Sequence, residues 1–94
     1  MTYELAFKAS ALKEWQKLGH TLREQFKKKL LERLETPHIP SAALSGMPNF
    51  YKIKLQTAGY RLVYSVEDRT ITVTVIAVGK RNRSDVYEAA MSRL

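Results

Sequence analysis

The 94 residues contain no cysteine, so neither a disulfide framework nor a thiolate metal site is available, and the chain suits a reducing compartment. No apolar run approaches the roughly 20 residues a membrane span needs. The opening "MTYELAFKAS" lacks the basic-then-apolar layout of a secretory signal. These absences predict a cytoplasmic protein with no membrane role. Histidine is scarce too: His20 follows Gly19 at a helix boundary and His38 sits between prolines. Neither has a carboxylate at a recognisable spacing, so both read as surface residues. There is no H-x-x-E-H or H-E-x-x-H motif, no phosphate-cradling glycine loop and no acidic pair suited to Mg²⁺. No metal and no cofactor are expected, and metal-dependent nuclease chemistry is disfavoured.

Acidic residues are the other shortage. Sixteen Lys and Arg against nine Asp and Glu leave a net charge of +7, which for one small domain points to a polyanionic partner, nucleic acid or an acidic protein. Residues 1–47 hold eight basic and five acidic groups, and residues 48–94 hold eight and four. The excess is therefore spread over the chain and does not sit in a disordered basic tail.

Hydrophobic periodicity organises the rest. "TYELAF" alternates weakly and predicts a strand over residues 2–7. "SALKEWQKLG" offers Ser10 as N-cap, Leu12, Trp15 and Leu18 as an apolar stripe, and Gly19 as a stop. In "TLREQFKKKLLERLE", Thr21 and Glu24 have capping-box spacing, and Leu22, Phe26, Leu30 and Leu34 make one helical face. The outer face of this helix carries Arg23, Lys27, Lys28 and Lys29, which reads either as a solvated face partly offset by Glu24 or as a phosphate-contacting surface. All three prolines fall in 36–49, a connecting loop.

The period then becomes two. Tyr51, Ile53 and Leu55 face one way and Lys52 and Lys54 the other. Past a turn at Thr57 to Gly59, Tyr60, Leu62, Tyr64 and Val66 alternate with Arg61, Val63 and Ser65. "TITVTVIAVG" predicts a third consecutive strand, central or well covered. "SDVYEAAMSRL" predicts a final helix, capped by Asp85 and Glu88, with Tyr87, Ala90, Met91 and Leu94 on one face. The order βααβββα predicts a single α+β domain with a mainly antiparallel sheet and the helices packed on one face.

Hairpin parity puts Lys52, Lys54 and Arg61 together on the sheet face away from those helices, with no acidic residue among them. Like charges paired across strands oppose folding, so stability alone does not require them. They read either as solvent-facing strand residues or as an anion site. "GKRNRSDVY" adds Lys80, Arg81 and Arg83 beside a helix N-terminus, where anions are favoured. Strand parity alone gives Arg81 the phase of Val73 and Val75, so joining Lys52 requires a bulge at Gly79 or a strand that ends there. Tyr87 fits a core position at helical spacing, and beside a cationic cleft it also fits stacking on an RNA base.

"GMPNFYKIKL", "AGYRLVYSV" and "VGKRNRSDVY", in this order and spacing, resemble the RelE toxins of bacterial toxin-antitoxin modules. The resemblance runs from "ALKEWQKLG" to the last helix and distinguishes the chain from ParE-type gyrase inhibitors. It implies one RelE-like toxin domain over residues 1–94. It also implies a ribosome-dependent endoribonuclease that cuts mRNA in the A site, a cognate antitoxin that neutralises it, and operator DNA binding only as the toxin-antitoxin complex.

Where the motifs match, the family's functional positions fall on Lys52, Lys54, Arg61, Arg81 and Tyr87. Lys13, Lys17, Arg23, Lys27, Lys28, Lys80 and Arg83 are the candidate RNA- or ribosome-contacting cations. One departure is Ser45, where close relatives often carry arginine. RNA cleavage without metal or histidine requires another base, and a lysine crowded by cations loses its proton more readily than one in water. Lys54 is the candidate base, with Tyr87 orienting it or the attacking hydroxyl, Arg81 near the leaving oxygen, and Lys52 and Arg61 on the phosphate oxygens. A non-catalytic nucleic-acid- or topoisomerase-binding protein of the same fold is the rival reading.

Overall fold

The computed structural model describes residues 2–55, 59–80 and 85–93. In chain order the elements are β1 (Glu4–Phe7), α1 (Ala9–Gln16), α2 (His20–Glu35), a 3₁₀ turn (Pro40–Ala42), β2 (Phe50–Leu55), β3 (Tyr60–Glu67), β4 (Thr72–Lys80) and α3 (Asp85–Ser92). This is the predicted βααβββα order. Both long-loop and helix boundaries differ in detail. α1 starts at Ala9, so Ser10 is its second residue rather than its cap, and α2 starts at His20 behind Gly19 without a side-chain cap from Thr21. The proline-rich loop contains the 3₁₀ turn and one bridge, Ala43 to Tyr51, that closes it against β2.

The sheet order is β1-β4-β3-β2. β1 runs parallel to β4, and the other two pairs are antiparallel. Between Val63 and Tyr64 the β3–β4 register shifts: Tyr64 faces Val75 and Val63 faces Ala77, leaving Ile76 as the extra residue of a bulge.

Two apolar clusters cover the two faces. The larger contains Ala11 from α1 and Leu18 just beyond it, Phe26, Leu30 and Leu34 from α2, and Ile53, Leu62, Tyr64, Val73 and Val75 from the sheet. Tyr51 stacks on Tyr64 with centroids 5.5 Å apart, while Trp15 bridges Phe7 and Phe26 at 5.3 and 6.4 Å. The smaller joins Met47, Val63, Ile76, Ala77, Val86 and Ala90. α1 and α2 thus form one layer as expected, but α3 packs on the opposite face. The reason is apolar surface on both sides of the sheet: Val63 points away from Leu62 and Tyr64, and the bulge turns both Ile76 and Ala77 toward α3. The described anchors of α3 are small, since burying a valine contributes about 1.5–3 kcal/mol and an alanine less.

Candidate functional site

In the β2–β3 register Lys54 stands opposite Arg61 and Lys52 opposite Val63; β4 continues these rows with Gly79 and Ala77. Residues directly across a ladder share a face. Lys52, Lys54 and Arg61 therefore lie together on the face opposite α1 and α2, as hairpin parity predicts, and α3 occupies part of that same face. The bulge that parity required is present, three residues earlier than Gly79: past Ile76 the odd positions Ala77 and Gly79 turn to the cation face, and β4 continues to Lys80. Arg81 and Arg83 lie outside the described residues, as do the turn at 56–58 and Leu94.

Arg61 has the most informative environment. It is half-buried, and its Nε and Nη1 are shut off from solvent with no hydrogen-bond acceptor among the described residues. A guanidinium cannot shed its charge, and a buried donor without an acceptor costs about 1–3 kcal/mol. Beside it Gly79 brings no side chain, and a Cβ there meets no described atom within 4 Å. Lys54 and half-buried Lys52 flank these two donors, which are unfilled among the described residues. This arrangement suits the oxygens of one phosphate.

Tyr87 is half-buried on α3 and packs against the smaller cluster, which includes Val63, the cross-strand partner of Lys52. It is thus a packing residue on the cation face, as the core reading expects. Lys80 does not join this face: its Nζ lies 5.9 Å from the centroid of Tyr60, a ring that packs on the larger cluster. Lys13, Lys17, Arg23, Lys27 and Lys28 belong to α1, its end, and α2, on the other side of the sheet. Ser45 is exposed in the loop.

Sequence reasoning missed a second cationic feature. Between α2 and the outer edge of β2 lies a groove of about 320 Å³ lined by Lys29, Glu32, Arg33, Lys52 and Lys54 among others. Arg33 donates from Nη1 to the Lys52 carbonyl at 3.2 Å and to the Tyr64 hydroxyl at 2.9 Å, and that hydroxyl donates to Pro37 O at 2.8 Å. Burial pushes the Tyr64 phenol up, partly offset by Arg33. Arg33 thereby fixes the strand edge at Lys52. The available signal was spacing: Lys29 and Arg33 each follow a core residue, Phe26 and Leu30, by three positions.

His38 also departs from its expected role as an unpartnered surface residue. Its Nδ1 lies 2.8 Å from the Tyr51 hydroxyl and its Nε2 2.9 Å from Asp68 Oδ1, which also accepts from the Tyr3 hydroxyl at 2.8 Å. Asp68 is thirty residues away in sequence, so no local spacing reveals the pair. The bond from His38, then that from Tyr3, holds the Asp68 carboxyl below the usual carboxylate range. Among the described residues, no group of three or more His, Cys, Asp or Glu could hold a metal ion, and no helix is long and apolar enough to cross a membrane.

Comparison with known proteins gives concordant results. A sequence model described as the ParE toxin of the type II toxin-antitoxin system parDE matches residues 5–85. The mRNA interferase toxin RelE of Escherichia coli (strain K12) is 58% identical over 94 residues, covering 100% of this chain and 99% of that protein. A putative RelE-like toxin protein of Escherichia coli is 52% identical with the same coverage. The solved structure of the R81A/R83A mutant of E. coli toxin RelE in the free state superposes with a TM-score of 0.93 at 56% identity, covering 100% of this chain and 99% of that one. The same mutant in complex with an antitoxin RelBc peptide gives 0.84 at the same identity and coverage.

Proposed function

Because the chain belongs to the RelE/ParE family of type II toxins, we propose that it is the toxin of such a module and a metal-independent endoribonuclease cutting mRNA in the ribosomal A site. The observation that carries this reading is Arg61, whose two buried donors have no acceptor among the described residues and share a sheet face with Lys52 and Lys54. RNA contains its own nucleophile. Lys54 removes the proton of a ribose 2′-hydroxyl, and the oxygen attacks the adjacent phosphorus. The 2′-O–P bond forms as the P–5′-O bond breaks, giving a 2′,3′-cyclic phosphate and a 5′-hydroxyl once the leaving oxygen takes a proton. Lys52 and Arg61 hold the non-bridging oxygens as charge grows on them. Tyr87 orients the base or the hydroxyl, and Arg81 stabilises the leaving oxygen, a task easier for an always-charged guanidinium than proton donation.

Nothing among the described residues of this face clamps RNA in line by itself, so the ribosome supplies orientation. Lys13, Lys17, Arg23, Lys27, Lys28, Lys80 and Arg83 are the proposed ribosome contacts. A cognate antitoxin covers the cationic face, operator DNA is bound only by the toxin-antitoxin pair, and the working compartment is the cytoplasm.

The ParE description of the matching family model supports a second reading, a non-catalytic toxin of the same fold. That match ends at residue 85, before Tyr87, whereas the likeness to RelE runs through it. The deciding experiment is primer-extension mapping of an mRNA, naked and on programmed ribosomes. Cleavage at the A-site codon on ribosomes, with naked RNA left largely intact, is expected. Equal rates on both substrates contradict ribosome dependence, and no cleavage of either favours the second reading.

A further inference from the structure

β1 ends at Phe7, and the backbone N–H of Lys8 makes the next bond to β4, to the Val75 carbonyl at 3.0 Å. β4 runs on to Lys80. The bulge turns the Ile76 carbonyl and the Val78 N–H toward the edge that β1 has vacated, where strand backbone groups need other partners. Two side chains provide them. Glu14 of α1 accepts from Val78 N–H through Oε1 at 3.1 Å. Arg93, directly after α3, donates from Nη1 to the Ile76 carbonyl at 2.8 Å. The two side chains also meet in a fork, Nη1 to Oε1 at 2.9 Å and Nη2 to Oε2 at 3.3 Å, and their side chains are only 22% and 33% exposed. Isolated surface ion pairs contribute little. This one is bidentate, partly buried and bonded to backbone at both ends, and it fastens α1 on one face to the end of α3 on the other.

We propose that Arg93 and Glu14 are positioning residues that set where α3 rests on the sheet and hence where Tyr87 meets the cationic face, an inference that rests on the role given to Tyr87 above. Among the described residues the apolar hold on α3 is thin: Val86 and Ala90 are buried, with Tyr87 and Ala89 partly covered. Small anchors leave a helix free to slide or rotate. Arg93 lies six residues beyond Tyr87, about 9 Å along the axis, and it is tied to the carbonyl of Ile76, whose side chain packs in the same cluster as Tyr87. One piece of β4 therefore sets both the clamp and the seat of the ring.

The test uses the full chain as Arg93→Gln, Arg93→Lys, Tyr87→Ala and Arg93→Gln/Tyr87→Ala. Native-state hydrogen exchange reads α3, and single-turnover cleavage at varied ribosome concentration separates rate from binding. Arg93→Gln is expected to lower protection of α3 amides about tenfold while β3 keeps its protection. Cleavage should slow about 10- to 100-fold, as for a displaced catalytic group, at an unchanged half-saturating ribosome concentration. Arg93→Lys, a point charge unable to reproduce the fork, should fall between. With Tyr87→Ala already present, Arg93→Gln should cost less than about twofold more, a non-additivity that a residue acting only on stability does not produce. Full additivity, or parental cleavage by Arg93→Gln while Tyr87→Ala is impaired, overturns the positioning role. Parental cleavage by Tyr87→Ala instead overturns the reading of Tyr87 beneath it. If Arg93→Gln loses β3 protection and so fails to fold, Arg93→Lys decides by the same two readouts.

Discussion

Replacing Arg61 by methionine should move stability and activity in opposite directions. The substitution keeps an unbranched apolar stem in the half-buried position and removes a charge whose Nε and Nη1 have no acceptor among the described residues. Relieving unpaired buried donors is worth about 1–3 kcal/mol, and Lys54 loses a like charge directly opposite, worth about 0.2–1 kcal/mol. The lost hydration of the stem's polar end in the unfolded chain offsets part of this, so a gain of about 1–2 kcal/mol is expected. For a domain of this size that raises the melting temperature by about 4–16 °C. Catalysis loses two charge-assisted bonds to the phosphate, each about 1.5–3 kcal/mol. The sum corresponds to a slowing of roughly 10²- to 10⁴-fold. Urea unfolding gives the first quantity and single-turnover cleavage on programmed ribosomes the second. A lower urea midpoint at unchanged slope, or cleavage within about threefold of the parent, refutes the reasoning that these donors are held unfilled for substrate.

Lys54→Ala should abolish the chemical step with modest loss of ribosome binding. Alanine at Lys27 and Lys28 should weaken binding in a salt-dependent way and leave the single-turnover rate at saturation unchanged, which quench-flow at two ionic strengths checks. Asp68→Asn should cost stability chiefly at neutral pH. The folded carboxyl titrates below its ordinary value of 3.8, so its contribution is present above that value and lost as pH falls through the depressed one. The gap between parent and variant in urea midpoint should therefore close as pH falls below 3.8, and a constant gap contradicts the assignment. Tyr64 has the opposite sign. Its phenol is raised above 10.0, so its contribution is full below pH 10 and falls as pH climbs through the folded value. Tyr64→Phe, which should be destabilising near neutral pH for want of the bonds to Pro37 and Arg33, should lose that disadvantage in strong alkali.

The cationic row was legible in the sequence because a hairpin with one buried face has a rigid period of two. Once Tyr51, Ile53, Leu62 and Tyr64 go inward, Lys52, Lys54 and Arg61 have one place left. The seat of α3 was harder to read. "TVTVIAVGK" carries no proline and its glycine lies beyond the bulge, so nothing in it marks Ile76 as the residue that reverses parity. Val63, apolar between two core positions, was the visible hint that the second face is covered too. The bonds of His38, Arg33 and Arg93 join residues thirteen to seventy-nine apart. Local spacing has no bearing on such pairs, which exist only once the chain has closed. Helix starts at Ala9 and His20 lie two residues before those that Ser10 and Thr21 would set as caps, within the usual scatter of helix ends.

The parallel pairing of β1 with β4 has a consequence for biosynthesis. Glu4 meets Thr72 across most of the chain's length, so the first strand made has no partner until nearly the last is translated, and α3 with Tyr87 comes later still. Contacts this distant in sequence close slowly. A nascent chain therefore completes its sheet only once β4 is available to β1, and α3 with the Glu14–Arg93 pair forms after that. Topology alone thus delays closure of the sheet, and any stretch of the chain that lacks β4 leaves β1 without its strand partner.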